Sequence, residues 1–115
     1  MSEIAETFET PYYAVIFTSL RTDGDHGYAE MARKMDDLAK EQDGYLGIEA
    51  AREDLGITVS YWKDLESIKK WHTNAEHRLA QSQGYETWYK SFKVRICKVE
   101  RNYGFDAISN SRFQI

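Results

Sequence analysis

An α+β fold of the ferredoxin-like kind, in the order βαββαβ, is the architecture that three features of this 115-residue chain predict. Segments of two-residue alternation and segments of helical spacing follow one another in that order, turn chemistry separates each from the next, and the length suits one domain with one core. The expected sheet is antiparallel and four-stranded, with both helices on one face. No internal repeat, linker or low-complexity run interrupts the pattern. Residues 1–11 read as a leader, 12–105 as the domain and 106–115 as a loose tail.

The first strand is the β-branched and aromatic run from Tyr12 to Thr18, which begins after the only proline, Pro11. Thr22-Asp23-Gly24-Asp25 supplies turn and cap chemistry. Tyr28, Met31, Met35, Leu38 and Ala39 then recur at helical spacing until Asp43-Gly44 stops them. Tyr45 to Ala51 alternates as a second strand, Arg52 to Gly56 makes a hairpin connection, and Ile57 to Trp62 is a third strand. Asp64 caps a second helix whose apolar stripe is Leu65, Ile68, His72, Ala75 and Leu79, with Gly84 placed to end it. After the aromatic segment Tyr85 to Tyr89, the alternation Phe92/Val94/Ile96 changes phase to Cys97 and Val99, the pattern of a long strand with a bulge.

Two helices cover only one face of such a sheet, yet the first strand is apolar on both. Tyr13, Val15 and Phe17 point one way; Ala14 and Ile16 point the other. The third strand sets Ile57, Val59 and Tyr61 opposite Thr58, Ser60 and Trp62. A second sheet is therefore expected on the open face. A homodimer with two-fold symmetry is its simplest source, because an isologous contact buries the same patch on both copies.

Composition narrows the partners. Fifteen basic against nineteen acidic residues give a net charge of −4 with no basic run to follow a phosphate backbone, so neither nucleic acid nor an anionic membrane is expected. The first ten residues lack the regions of a signal peptide, and no apolar run has the length of a membrane span. The single cysteine, Cys97, fits a reducing compartment, and the cytoplasm is the expected location. Three Trp, eight Tyr and five Phe make the chain 14% aromatic, a surplus over a small core that points to a lined cavity or interface.

Familiar catalytic constellations are missing. His72 and His77 lie five apart, about 140° around a helix, so they do not face one metal ion, whereas His72 and Glu76 are spaced to meet on the helix surface. No G-x-S-x-G, G-x-G-x-x-G or Walker sequence occurs, and Cys97 falls inside a strand. The remaining candidate is an aromatic pocket. Tyr61 and Trp62 end the third strand, Trp71 and His77 lie on the helix that follows, and Trp88 and Tyr89 precede the last strand. Trp62 and Trp88 equally suit core packing or a dimer contact. Trp71, off the centre of the apolar stripe, and His77, on its flank, are the candidate catalytic residues. Phe17, Tyr61, Trp62, Trp88, Tyr89 and Arg95 form the candidate substrate-binding set. Arg52, Arg95 and Arg101 are cations able to anchor an anionic or quinone-like oxygen, with surface ion pairs as their ordinary alternative.

Three groups of residues carry a family likeness: Gly56 to Trp62, the helix with Trp71, Glu76-His77 and Ala80-Gln81, and the closing Trp88-Tyr89, Phe92, Arg95 and Val99-Glu100-Arg101. From about Tyr12 to Phe105 the chain resembles the stand-alone antibiotic biosynthesis monooxygenase (ABM) family of dimeric α+β barrel proteins. The resemblance implies a homodimer that acts on a small aromatic or quinol-type molecule and dioxygen, using no metal, flavin or nicotinamide. It also implies that Trp71 holds the family's pocket tryptophan position. The family's first-strand asparagine has no counterpart between Tyr12 and Ser19, where Thr18 and Ser19 are the nearest polar substitutes. Haem-degrading relatives carry a histidine about ten residues after that tryptophan; here Gln81 stands there and His77 comes one turn earlier, which makes haem the alternative cofactor. A non-enzymatic dimeric module that binds a small molecule is the third reading.

Overall fold

The computed structural model describes residues 3–6, 9–82, 85–107 and 111–114. Its elements are β1 (Tyr12–Arg21), α1 (Tyr28–Lys40), β2 (Tyr45–Arg52), β3 (Leu55–Trp62), α2 (Leu65–Ser82), a 3-10 turn (Tyr85–Thr87), β4 (Tyr89–Val99), β5 (Tyr103–Asp106) and β6 (Ser111–Gln114). The first four strands make one antiparallel sheet in the order β2-β3-β1-β4, which is the ferredoxin-like arrangement the sequence predicts. The expected helix stop at Gly84 lies outside the described residues, as do parts of the leader and tail.

Pairing across the sheet fixes the two faces. Tyr13 pairs with Trp62, Val15 with Ser60, Phe17 with Thr58 and Ser19 with Gly56, so these residues share the helix-covered face. Tyr12, Ala14, Ile16, Thr18 and Leu20 share the other face with Tyr61, Val59, Ile57 and Leu55. The core sits where α1 and α2 lie on β2 and β3: Ala39, Trp62 and Ile68 are buried, and Tyr13, Val15, Tyr45 and Trp71 pack around them.

Local chemistry sets the helix starts. The Asp25 carboxylate accepts hydrogen bonds from the backbone N–H of Gly27 (3.0 Å) and Ala29 (3.3 Å), which satisfies donors at the start of α1. Gly44 then turns the chain into β2 at φ +86°, where a side chain would strike Ser67 at the start of α2. Asp64 is the cap the sequence predicts: its Oδ1 accepts from the Ser67 N–H at 2.8 Å and the Ser67 hydroxyl at 2.6 Å. These bonds hold its carboxyl below the usual value of 3.8. Because the folded carboxyl titrates below the unfolded one, the cap's contribution is fully present above pH 3.8 and is lost as pH falls through the lower folded value. Asp64→Ala should lower the thermal midpoint by a few degrees at neutral pH, and thermal scans should find the gap to the parent protein closing in strong acid.

Two expectations about the C-terminal half need correction. The phase change at Cys97 is not a bulge. β1 and β4 pair in unbroken register from Tyr12↔Val99 to Leu20↔Ser91, and the shift falls between Leu20 and Arg21, where Arg21 pairs with Tyr89 and Lys90 is left over. Phe92, Val94 and Ile96 therefore face the helix side while Cys97 and Val99 face the open side: the strand is apolar on both faces, and two faces read in succession imitate a phase change. The tail also contains structure. Tyr103–Asp106 and Ser111–Gln114 form a small antiparallel ladder, with Tyr103 opposite Gln114 and Asp106 opposite Ser111. Four-residue strands give too short an alternation to stand out in sequence.

Candidate functional site

At the β1 C-terminal end, the helix-side face carries a cluster of rings. Phe17 stacks on Phe92 with centroids 5.2 Å apart and meets Tyr89 edge-on at 5.4 Å. Tyr28, at the start of α1, meets Tyr89 edge-on at 5.7 Å, and Tyr85 of the 3-10 turn meets Phe92 edge-on at 5.2 Å. The register explains the assembly: Ser19 sits opposite Phe92, Arg21 opposite Tyr89, and the intervening 3-10 turn folds Tyr85 back over the edge strand. Tyr85 and Phe92 remain 43% and 39% exposed, so this basket is reachable from solvent on their side.

Two cations border the basket. The Arg21 guanidinium lies 3.6 Å from the centre of the Tyr28 ring, and its Nε and Nη2 donate to the carbonyls of Trp88 (3.0 Å) and Gly24 (3.1 Å). Arg52 reaches from the end of β2 across β3 to β1, where it donates to the Ser19 hydroxyl. Burial drives the Tyr89 phenol well above its usual range, and its hydrogen bond with Tyr28 adds to this, while Arg52 and Arg21 pull in the opposite direction without reversing it. Tyr89 thus stays a neutral hydroxyl beside two permanent positive charges.

The residues singled out from sequence divide among five places. Phe17 and Tyr89 belong to the basket. Trp62 and Trp71 stack with centroids 5.9 Å apart on the same face of the sheet, but Trp62 pairs with Tyr13, four residues from Phe17 along β1, about 13 Å at strand rise. Trp88 is buried beside the loop before α1, where its Nε1 donates to the His26 carbonyl at 2.9 Å. Tyr61 and Arg95 lie on the opposite face. The Tyr61 hydroxyl donates to Glu49 at 2.7 Å, which adds to the upward push of burial on its titration, and Arg95 pairs across from Ile16. His77 is exposed on the outer stripe of α2 in a shallow groove of about 450 Å³ with Lys70, Thr73 and Asn74. His72 meets Glu76 at 3.4 Å, as their spacing predicts.

The basket's other members, Tyr28, Tyr85, Phe92 and Arg21, were not legible as a site, and Ser19 was visible only as a polar substitute for the family's first-strand asparagine. Tyr28 reads as part of a helical stripe, and only the β1–β4 register brings it to Tyr89. A second groove of about 490 Å³ runs between α1 and α2 beside Met31, Met35 and Arg78 and does not reach the basket's rings.

A four-stranded antiparallel sheet with two helices on one face, and a cluster of packed rings on that same face, defines an ABM-like α+β protein. The chain belongs to the monooxygenase af470-like family, whose sequence profile matches residues 21–98. It is 44% identical over 112 residues to the uncharacterised protein YqjZ of Bacillus subtilis (strain 168), covering 96% of this chain and 98% of that one. Among solved structures it resembles SnoaB, a cofactor-independent oxygenase from Streptomyces nogalater, with a TM-score of 0.67 at 7% identity, over 81% of this chain and 97% of that one. PA3566 from Pseudomonas aeruginosa superposes with a TM-score of 0.61 at 21% identity, over 81% of this chain and 96% of that one. At these identities the structural likeness concerns the fold. Among the described residues, no helix is long and apolar enough to cross a membrane.

Proposed function

We propose that the protein is a cofactor-independent monooxygenase that oxidises a small aromatic, quinol-type molecule with dioxygen in the Phe17–Tyr89 basket. The observation that carries this reading is the pairing of stacked rings with two unneutralised cations: among the described residues, neither Arg21 nor Arg52 forms an ion pair with a carboxylate. A flat electron-rich ring packs against Phe92 and Tyr85, and the positive potential lowers the pKa of its hydroxyl. The resulting phenolate is the form that gives an electron to dioxygen. Tyr89 remains protonated and hydrogen-bonded to Tyr28, which leaves one phenolic O–H of the pair to donate to developing negative charge on oxygen.

For an anthrone-type substrate the ring CH2 becomes C=O. One atom of dioxygen enters the product, the other leaves as water with the two hydrogens, and dioxygen is the sole oxidant. This reading places turnover at the basket, and assigns Trp71 to packing against Trp62 and His77 to the surface. Haem gains no support, since His77 points away from the sheet on α2's outer stripe. The family membership and the SnoaB-like fold support the reaction class.

A homodimer completes the picture. Leu55, Ile57 and Leu20 are 50%, 42% and 40% exposed on the open face of the single subunit, and a second copy laid face to face would cover them.

The test is an oxygen electrode with a panel of anthrones and naphthohydroquinones in chelator-treated buffer. Catalysed uptake of one dioxygen per ketone formed is expected for at least one substrate. Tight binding of such rings without uptake above the uncatalysed rate would leave a binding module instead.

A further inference from the structure

Arg52 is held in place by a device that the ring chemistry alone does not require. β2 and β1 are two strand spacings apart, roughly 10 Å, with β3 between them. The guanidinium crosses that gap by lying over Gly56, the residue that pairs with both Arg52 and Ser19. A Cβ at position 56 would clash with the guanidinium carbon and with Nη2, so the glycine leaves the lane open. At the far end Nη2 donates to the hydroxyl of Ser19, which is only 2% exposed, and Nη1 approaches the Ser19 carbonyl at 3.5 Å. Ser19 in turn pairs with Phe92. One row across the sheet, Arg52, Gly56, Ser19 and Phe92, thus delivers a planar five-donor cation to the edge of the basket.

A guanidinium fixed this way, with no carboxylate partner among the described residues, is arranged to receive one. We propose that Arg52 is a specificity-determining residue and that the ligand of the basket is an aromatic acid: a planar ring whose carboxylate pairs with Arg52 while the ring stacks on Phe92. This rests on the basket being the substrate site, and it adds the charge that the site selects. A guanidinium–carboxylate pair is directional and often bidentate, so it fixes which edge of the ring faces Tyr89 as well as adding affinity.

The test is equilibrium binding without turnover, by anaerobic calorimetry, using 1-naphthoate and its neutral counterpart 1-naphthamide. The parent protein should bind the acid at least about tenfold more tightly than the amide. Arg52→Gln should remove that preference, weakening the acid at least about tenfold and the amide much less; Arg52→Lys should restore part of it. Gly56→Ala should act like Arg52→Gln, because the added methyl displaces the flexible end of Arg52 while the strand remains, with circular dichroism and thermal melting verifying the fold of each variant. Equal affinity for acid and amide in the parent protein, or a preference that survives Arg52→Gln in a folded variant, would overturn the carboxylate assignment while leaving the basket intact. If neither ring binds, the basket reading fails together with it. Oxygen uptake is a separate readout, so loss of the oxygenase reading is distinguishable from loss of this one.

Discussion

Trp62→Ala is expected to destabilise the protein by about 3–5 kcal/mol, the largest loss available to a single substitution here. Trp62 is 0% exposed, stacks on Trp71, and meets the Tyr45 ring edge-on at 5.7 Å. Its Nε1 also donates to the Ser60 hydroxyl at 2.9 Å, so truncation leaves both a cavity and a buried hydroxyl deprived of its donor. Against a total of about 5–15 kcal/mol for a domain of this size, the loss is a large fraction. Urea unfolding followed by circular dichroism, at one fixed protein concentration to hold any dimer contribution constant, measures it. Trp62→Phe should fall between the two because it keeps most of the ring volume. A loss below about 1 kcal/mol for the alanine variant would mean that the helices are not anchored on this residue.

The second large effect concerns assembly. Ile57→Asp should convert the proposed dimer to a monomer at micromolar concentration while leaving the subunit folded. Ile57 is 42% exposed in the isolated subunit, so its own core loses little; its cross-strand neighbours are Thr18 and Ala51, which offer no compensating charge. In a face-to-face dimer the symmetry buries the new carboxylate twice, and an unpaired buried charge costs several kcal/mol each time. Association should weaken by a factor of about 100 or more, on the scale of that penalty. Light scattering of parent and variant reads this directly. A parent monomer would defeat the proposed dimer, and a variant that stays dimeric would move the contact to another surface, such as the exposed edge of β4.

Much of the fold was legible because it is written in local pattern. The aromatic and β-branched run of β1, the stripe of α1 with Gly44 after it, and the Asp64 cap each depend on residues within a few positions of one another. The two-sided apolar character of β1 and β3 was equally visible, and the observed register distributes those residues to the two faces as their parity requires. What failed to show is long-range. Parity alone puts Tyr61 opposite Trp62, yet chain proximity suggested one pocket wall; the sheet separates them. The Arg52, Gly56 and Ser19 alignment depends on two strand pairings at once, and sequence presented it as a hairpin connection plus an isolated arginine. The basket itself joins β1, α1, the 3-10 turn and β4, whose order in space only the register supplies.

The central claim is that a quinol-type ring held in this basket takes an oxygen atom from dioxygen with no cofactor. Turnover of an anthrone under 18O2 in chelator-treated buffer, with the product analysed by mass spectrometry, tests it most directly. The account predicts one 18O atom in each quinone formed, at a rate that exceeds the uncatalysed reaction and falls when Phe92→Ala removes the stacking ring. Product formed no faster than without protein, although the ring binds, would contradict it.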